Sequence, residues 1–161
     1  MRGEFRFANG LILPNNVMKT GRAALLSMAL RGNDSVPLAG GGNFYVGLCN
    51  TIPSDEVSYA SLEEPTIGSG GYSRMAVTRD SVGFPTTGED NGEPYIESKP
   101  LIFVPTGAGF DKAITRCFIG LEATALLGNI YSLSAPLPAA LTLLPSTAEE
   151  FRTFTYRLYM R

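Results

Sequence analysis

Hydrophobic positions along the chain repeat every second residue in several short stretches and at helical spacing in one. In residues 44–49, Phe44, Val46 and Leu48 share one face and Tyr45, Gly47 and Cys49 the other, the alternation of a half-buried strand. Residues 151–161 alternate most clearly, with Phe154, Tyr156, Leu158 and Met160 on one side and Thr153, Thr155, Arg157 and Tyr159 on the other. Further strands are predicted over 75–79, 95–104, 114–120 and 128–134. Pro100 removes a ladder donor, so the stretch 95–104 should meet an edge or a bend there. Residues 16–31 predict an amphipathic helix. Val17, Gly21, Ala24, Leu25 and Met28 recur at its period, Asn15 or Asn16 can cap its start, and Gly32 can end it. Gly21 costs a helix about 1 kcal/mol relative to Ala and would let a strand approach closely.

Residues 1–14 read as an extended arm. Phe5 and Phe7 fall on one side, and Arg2, Glu4, Arg6 and Ala8 on the other. So short an arm cannot bury two Phe against itself, so it must pack on its own domain or on a neighbouring subunit. Long connections fill 51–71 and 83–94, the second acidic and turn-rich. Residues 135–146, with Pro136, Pro138 and Pro145, suit a buried extended crossover. Short strands separated by turn signals predict a mainly β chain. The expectation is an antiparallel, jelly-roll-like β-sandwich over 15–161, with helix 16–31 and the arm 1–14 attached.

Composition narrows the function. The 161 residues suit one domain. Charged residues are 17%, below the usual figure of about 25%, which suits either protein-facing surface or neutral loops. The net charge of −2 leaves no electrostatic footprint for nucleic acid. Ten of the 13 basic residues are Arg, the cation enriched at protein interfaces. No apolar run approaches the ~18 residues needed to span a bilayer. Residues 1–10 lack a signal-peptide pattern, so the chain is expected to be made in a cytoplasm and to stay soluble or assemble there.

Chemistry is sparse. Histidine is absent, which removes the commonest general base and metal ligand. Cys49 and Cys117 sit inside predicted strands and read as buried thiols, with pairing between them left open. No Gly-Lys dipeptide exists for a phosphate loop, and the Gly-rich run 68–71 leads into a strand. The carboxylate pairs Asp55/Glu56, Glu63/Glu64, Glu89/Asp90 and Glu149/Glu150 read as solvated surface. Residues 89–93 are the one weak candidate for a calcium loop. No catalytic, cofactor-binding or metal-binding residue is assigned, and no enzymatic activity is expected.

Three blocks occur in order: Phe44-Tyr45-Val46-Gly47-Leu48-Cys49-Asn50, Gly71-Tyr72-Ser73-Arg74-Met75-Ala76-Val77 and Ile114-Thr115-Arg116-Cys117-Phe118-Ile119-Gly120. With the hairpin residues 128–130, the segment 133–138 and the helix motif 18–26, they resemble small virion proteins of tailed bacteriophages and terminal domains of phage tail fibres. The match covers about residues 15–140. The insertions at 51–70 and 83–94 and the aromatic arm depart from it. The resemblance implies a structural protein of the virion, on the tail, its appendages or the capsid surface. Its partners would be other virion proteins and copies of itself, with a trimer preferred. The alternative is a receptor- or glycan-binding module that uses the two long loops on a host surface glycan. The expected interface is Arg2, Phe5, Arg6, Phe7, Leu11, Ile12 and Leu13. Gly71, Tyr72 and Arg74 are expected to be structural: a positive-φ turn, an aromatic body with a hydroxyl for a backbone group, and a planar fork for a loop carbonyl or carboxylate.

Overall fold

The computed structural model describes residues 2–19, 21–23, 42–51, 57–124 and 130–159. Its strands are β1 (Arg2–Phe7), β2 (Ile12–Val17), β3 (Asn43–Cys49), β4 (Met75–Thr78), β5 (Thr86–Asp90), β6 (Glu93–Glu97), β7 (Leu101–Ile102), β8 (Arg116–Gly120), β9 (Ser132–Ser134) and β10 (Thr153–Tyr159). They form one antiparallel sheet in the order β4-β3-β8-β9-β2-β1-β10-β6-β5, with β7 also paired to β10.

The sheet curls into a half-barrel. Val46 and Val77, near one end of the strand order, share a hydrophobic cluster with Phe5, Phe154 and Tyr156 from β1 and β10. Only a bend across the intervening strands brings them together. Cys117 and Ile119 of β8 and Leu13 of β2 fill the same inner cluster. A second cluster, with Cys49, Phe118 and Leu133, lies on the outer face and is covered by Val57 and Tyr59. The chain is therefore mainly β and antiparallel, as the alternation predicts, but its strands form one curled sheet and the two sheets of a sandwich are not seen.

The N-terminal segment departs from expectation most. It is a hairpin inside the sheet, not an arm. β1 pairs with β10 from Arg2↔Tyr159 to Phe7↔Phe154 and with β2 on its other side. The alternation itself is correct: Phe5 and Phe7 point into the core, while Arg2, Glu4 and Arg6 take the outer face. The expected helix also changes. β2 runs through Val17, between β1 and β9, so Asn15 and Asn16 belong to a strand and not to a helix start. Backbone groups that a helix start would leave open are bonded on both sides here. The chain turns helical at residues 19 and 21–23, where the Arg22 N–H donates to the Met18 carbonyl at 2.9 Å. No helix spanning 16–31 is seen among the described residues, and 24–31 lies outside them. Gly21 does permit a close approach, because a Cβ there would collide with the Tyr131 carbonyl.

The stretch 95–104 breaks at 98–100 between β6 and β7, and the Ser98 hydroxyl accepts the Tyr156 N–H at 2.9 Å across the break. The acidic stretch 83–94 is a β-hairpin. Asn91 and Gly92 both have positive φ, 53° and 78°, as a two-residue turn with strand-matching twist requires. That geometry accounts for residues 89–93, and no group of three or more His, Cys, Asp or Glu suited to a metal is found among the described residues. Residues 135–146 run mostly on the surface rather than buried, with Leu143 alone fully inside.

Candidate functional site

The second sequence block builds a buried polar lock on β4. Gly68, Gly70 and Gly71 take positive φ in a turn ahead of the strand, with Gly71 at 80°, a conformation open to glycine at little cost. The turn drives Tyr72 into the core. Its ring lies parallel to Phe103 at 5.9 Å and meets Phe110 edge-on at 5.1 Å. Its hydroxyl accepts the Leu48 N–H at 2.9 Å and donates to Glu64 Oε1 at 2.6 Å. Leu48 belongs to the first block, so the hydroxyl ties the two blocks together. Burial, then the neighbouring Glu64 carboxylate, holds the Tyr72 hydroxyl well above the usual phenol range.

Arg74 follows two residues later, in the extended segment just ahead of β4, and its side chain turns to the outer cluster, against Tyr59 and Phe118. Its side chain is fully enclosed. Nε donates to Glu64 Oε1 at 2.9 Å and Nη2 to Glu64 Oε2 at 2.7 Å, the paired fork geometry. Nη1 donates to the Glu122 carbonyl at 2.9 Å. The guanidinium lies 4.3 Å from the Tyr59 ring centroid. The Tyr59 hydroxyl in turn accepts the Glu122 N–H at 3.0 Å. Burial works against the Arg74 charge, but the hydrogen bonds and charge of Glu64 outweigh it and hold the cation above its ordinary value. Chemically, the cluster fastens the 57–64 loop and residues 121–122 to the sheet. No nucleophile or proton acceptor in it is open to substrate.

Gly71 thus takes a positive φ, Tyr72 bonds a backbone group and a carboxylate through its hydroxyl, and Arg74 grips a carboxylate and a loop carbonyl. Glu64, the shared partner of Tyr72 and Arg74, is not part of a solvated carboxylate pair, because its side chain is largely enclosed against both. The signal available is the arginine itself: an enclosed Arg needs a carboxylate, and Glu63/Glu64 is the acidic pair preceding it in the chain.

The expected interface residues do not gather on a free surface. Phe5, Phe7 and Leu13 are in the chain's own core and cannot also bury on a neighbour, and Leu11 packs partly against the same core. Ile12 is exposed. Arg2 donates to Glu93 at 3.2 Å and lies 4.2 Å over the Tyr159 ring. Arg6 donates to Glu4 at 3.0 Å. Both arginines are engaged on the outer face, beside Arg157, which grips Glu97 at 2.6 Å. The described part of the long loop 51–70 is likewise packed down by Val57 and Tyr59.

The open question of the cysteines is resolved. Leu48 and Cys117 face each other in register and point inward, whereas Cys49, one residue on, points outward. They lie on opposite faces of the sheet, and both are free thiols. Compared with known proteins, the chain matches no family model and no curated sequence.

Proposed function

We propose that this chain is a non-enzymatic structural component of a tailed-phage virion, present in repeated copies beside other virion proteins. One observation carries the reading. The residues that give the chain its resemblance to virion proteins, Gly71, Tyr72 and Arg74, spend their chemistry inside the fold, joining β3, β4 and two loops. That is the use a structural protein makes of buried polar groups. The contact surface proposed is no longer the N-terminal segment. It is the end of the half-barrel where the loops 66–71, 103–109 and 143–145 converge, with Gly70 against the Gly109 carbonyl and Gly109 against Leu144. Val104 there is 58% exposed, Leu144 39% and Ile67 37%, large apolar side chains suited to a neighbouring copy. Symmetric assembly follows from repeated sites, with a trimer the preferred state.

The test is the mass of the isolated protein in solution and its copy number in purified particles. A trimer that Val104→Asp dissociates, present in a multiple of three per particle, is the expected result. A monomer absent from particles would overturn the reading. Saturable binding of that monomer to host surface polysaccharide would favour the receptor-module alternative.

A further inference from the structure

The half-barrel does not close. β4 and β5 are the two ends of the strand order, residues of both and of the 79–85 loop that joins them line a seam, and the side chains of the described residues leave the inner face behind it unfilled. A cavity of about 710 Å³ remains there. Protein interiors are close-packed and hold few voids larger than a water molecule. Cavities of roughly 300–1,000 Å³ are the size that takes a small ligand, and small barrels use their interiors for side chains or for one such ligand.

The lining specifies the chemistry. The walls are Phe44, Phe84, Tyr131, Ile96, Ile119 and Leu158. Phe44 meets Phe84 edge-on at 6.1 Å and Tyr131 at 6.4 Å, so the aromatic edges and faces are already fixed in place. Charge is confined to the mouth, at Arg79 and Asp80. Asp80 is held by its own loop, accepting from the Thr78 hydroxyl at 2.7 Å and from the Val82 and Gly83 N–H groups at 2.9 Å. Besides Tyr131, the lining includes two well-buried hydroxyl residues, Ser132 and Tyr156. The two line the same wall, and Ser132 donates to the Asn15 amide oxygen behind it. Both side chains are more than nine-tenths buried, as is Asn15, whose amide nitrogen is buried without a hydrogen-bond partner among the described residues. This polar pair, backed by the buried Asn15 amide, stands beside the aromatic and aliphatic wall of the pocket.

We infer that the seam cavity is a binding site for an uncharged, mostly apolar small molecule with a ring body and one hydroxyl or carbonyl. The ring packs against Phe44, Phe84 and Tyr131, and the polar group joins the Ser132–Tyr156 hydroxyls. A charged group at the inner end is excluded, since the described lining offers it no counter-charge there. The site is independent of the virion reading and of the Arg74 lock, which lies on other elements.

The experiment uses the whole chain and the neutral fluorescent probe N-phenyl-1-naphthylamine, with 1-naphthol and naphthalene as competitors. Saturable binding of one probe per chain is expected. 1-Naphthol should displace it at about fivefold lower concentration than naphthalene, the worth of one buried hydrogen bond. Thr87 is exposed on the edge strand and lines the mouth. Thr87→Trp should block binding while leaving the circular dichroism and unfolding midpoint unchanged. Ser81→Trp, on the rim loop, repeats the block should the first variant fold poorly. Ser132→Ala should erase the preference for 1-naphthol and keep naphthalene binding. Absence of saturable binding would overturn the proposal. So would binding that survives both tryptophan variants, because it would then be adventitious adsorption to surface.

Discussion

Arg74 shows what a single residue can settle in this fold. A guanidinium removed from water is costly to bury, and what makes it tolerable is the two-pronged contact with Glu64 and the Glu122 carbonyl. Removing either partner leaves the other charge buried and alone. Arg74→Met or Glu64→Gln should each cost about 3–5 kcal/mol of unfolding free energy, read from urea denaturation, whereas the double change to apolar residues should cost far less than their sum. A loss below about 1 kcal/mol for both single variants would instead match an exposed pair and sink the lock. The structural role of the arginine is legible, because it stands directly ahead of a predicted strand and two residues from Tyr72. Its partner is not: Glu64 lies ten positions earlier in a loop, and adjacency to Glu63 makes it look solvated.

At the scale of elements, the sequence pattern identifies β3, β4, β8 and β10 closely and β9 as the end of the predicted stretch 128–134, and Pro100 marks the β6–β7 break. β1 carried the same pattern but was assigned to an arm. Its partner strand begins with Thr153, about 150 positions away along the chain, and nothing local distinguishes a free extended segment from one clasped between two distant strands. The consequence is testable. An arm could be cut away without unfolding the domain, whereas β1 lies between β2 and β10 and supplies Phe5 and Phe7 to the core. Deleting residues 1–13 should therefore abolish cooperative unfolding and the far-ultraviolet β signal. A truncated protein that still melts cooperatively would contradict the central position of β1.

The whole molecule has a pH response set by what it buries. Burial pushes the Cys49 thiol up to about 11 and raises Cys117, Tyr72 and Tyr156 as well. Each raised group keeps its proton in the folded state after the unfolded chain has released it. Their contribution is therefore complete below the ordinary thiol value of 9.0 and is lost as pH rises through the folded values. Stability should fall steadily from about pH 9 upward. With no histidine in the chain, it should be nearly flat between about pH 6 and 8. Thermal melts across that range check both halves, and a stability maximum near pH 10 would refute the account. Both thiols should also resist Ellman's reagent at pH 8 until the chain is unfolded.

By itself the sequence determined the strand-forming segments, the inward and outward faces of β1, β3 and β10, the turn glycines and the structural character of Tyr72 and Arg74. These depend on near neighbours: alternation, turn chemistry and the demand that a buried polar group find a partner. Tertiary structure alone decided which strands pair, and it placed β1 at the centre and Glu64 in the interior. It also turned the expected two layers into one curled sheet with an open seam and a cavity behind it. Those outcomes depend on contacts between residues far apart in the chain, where a period of two specifies a face but not the strand that will lie beside it.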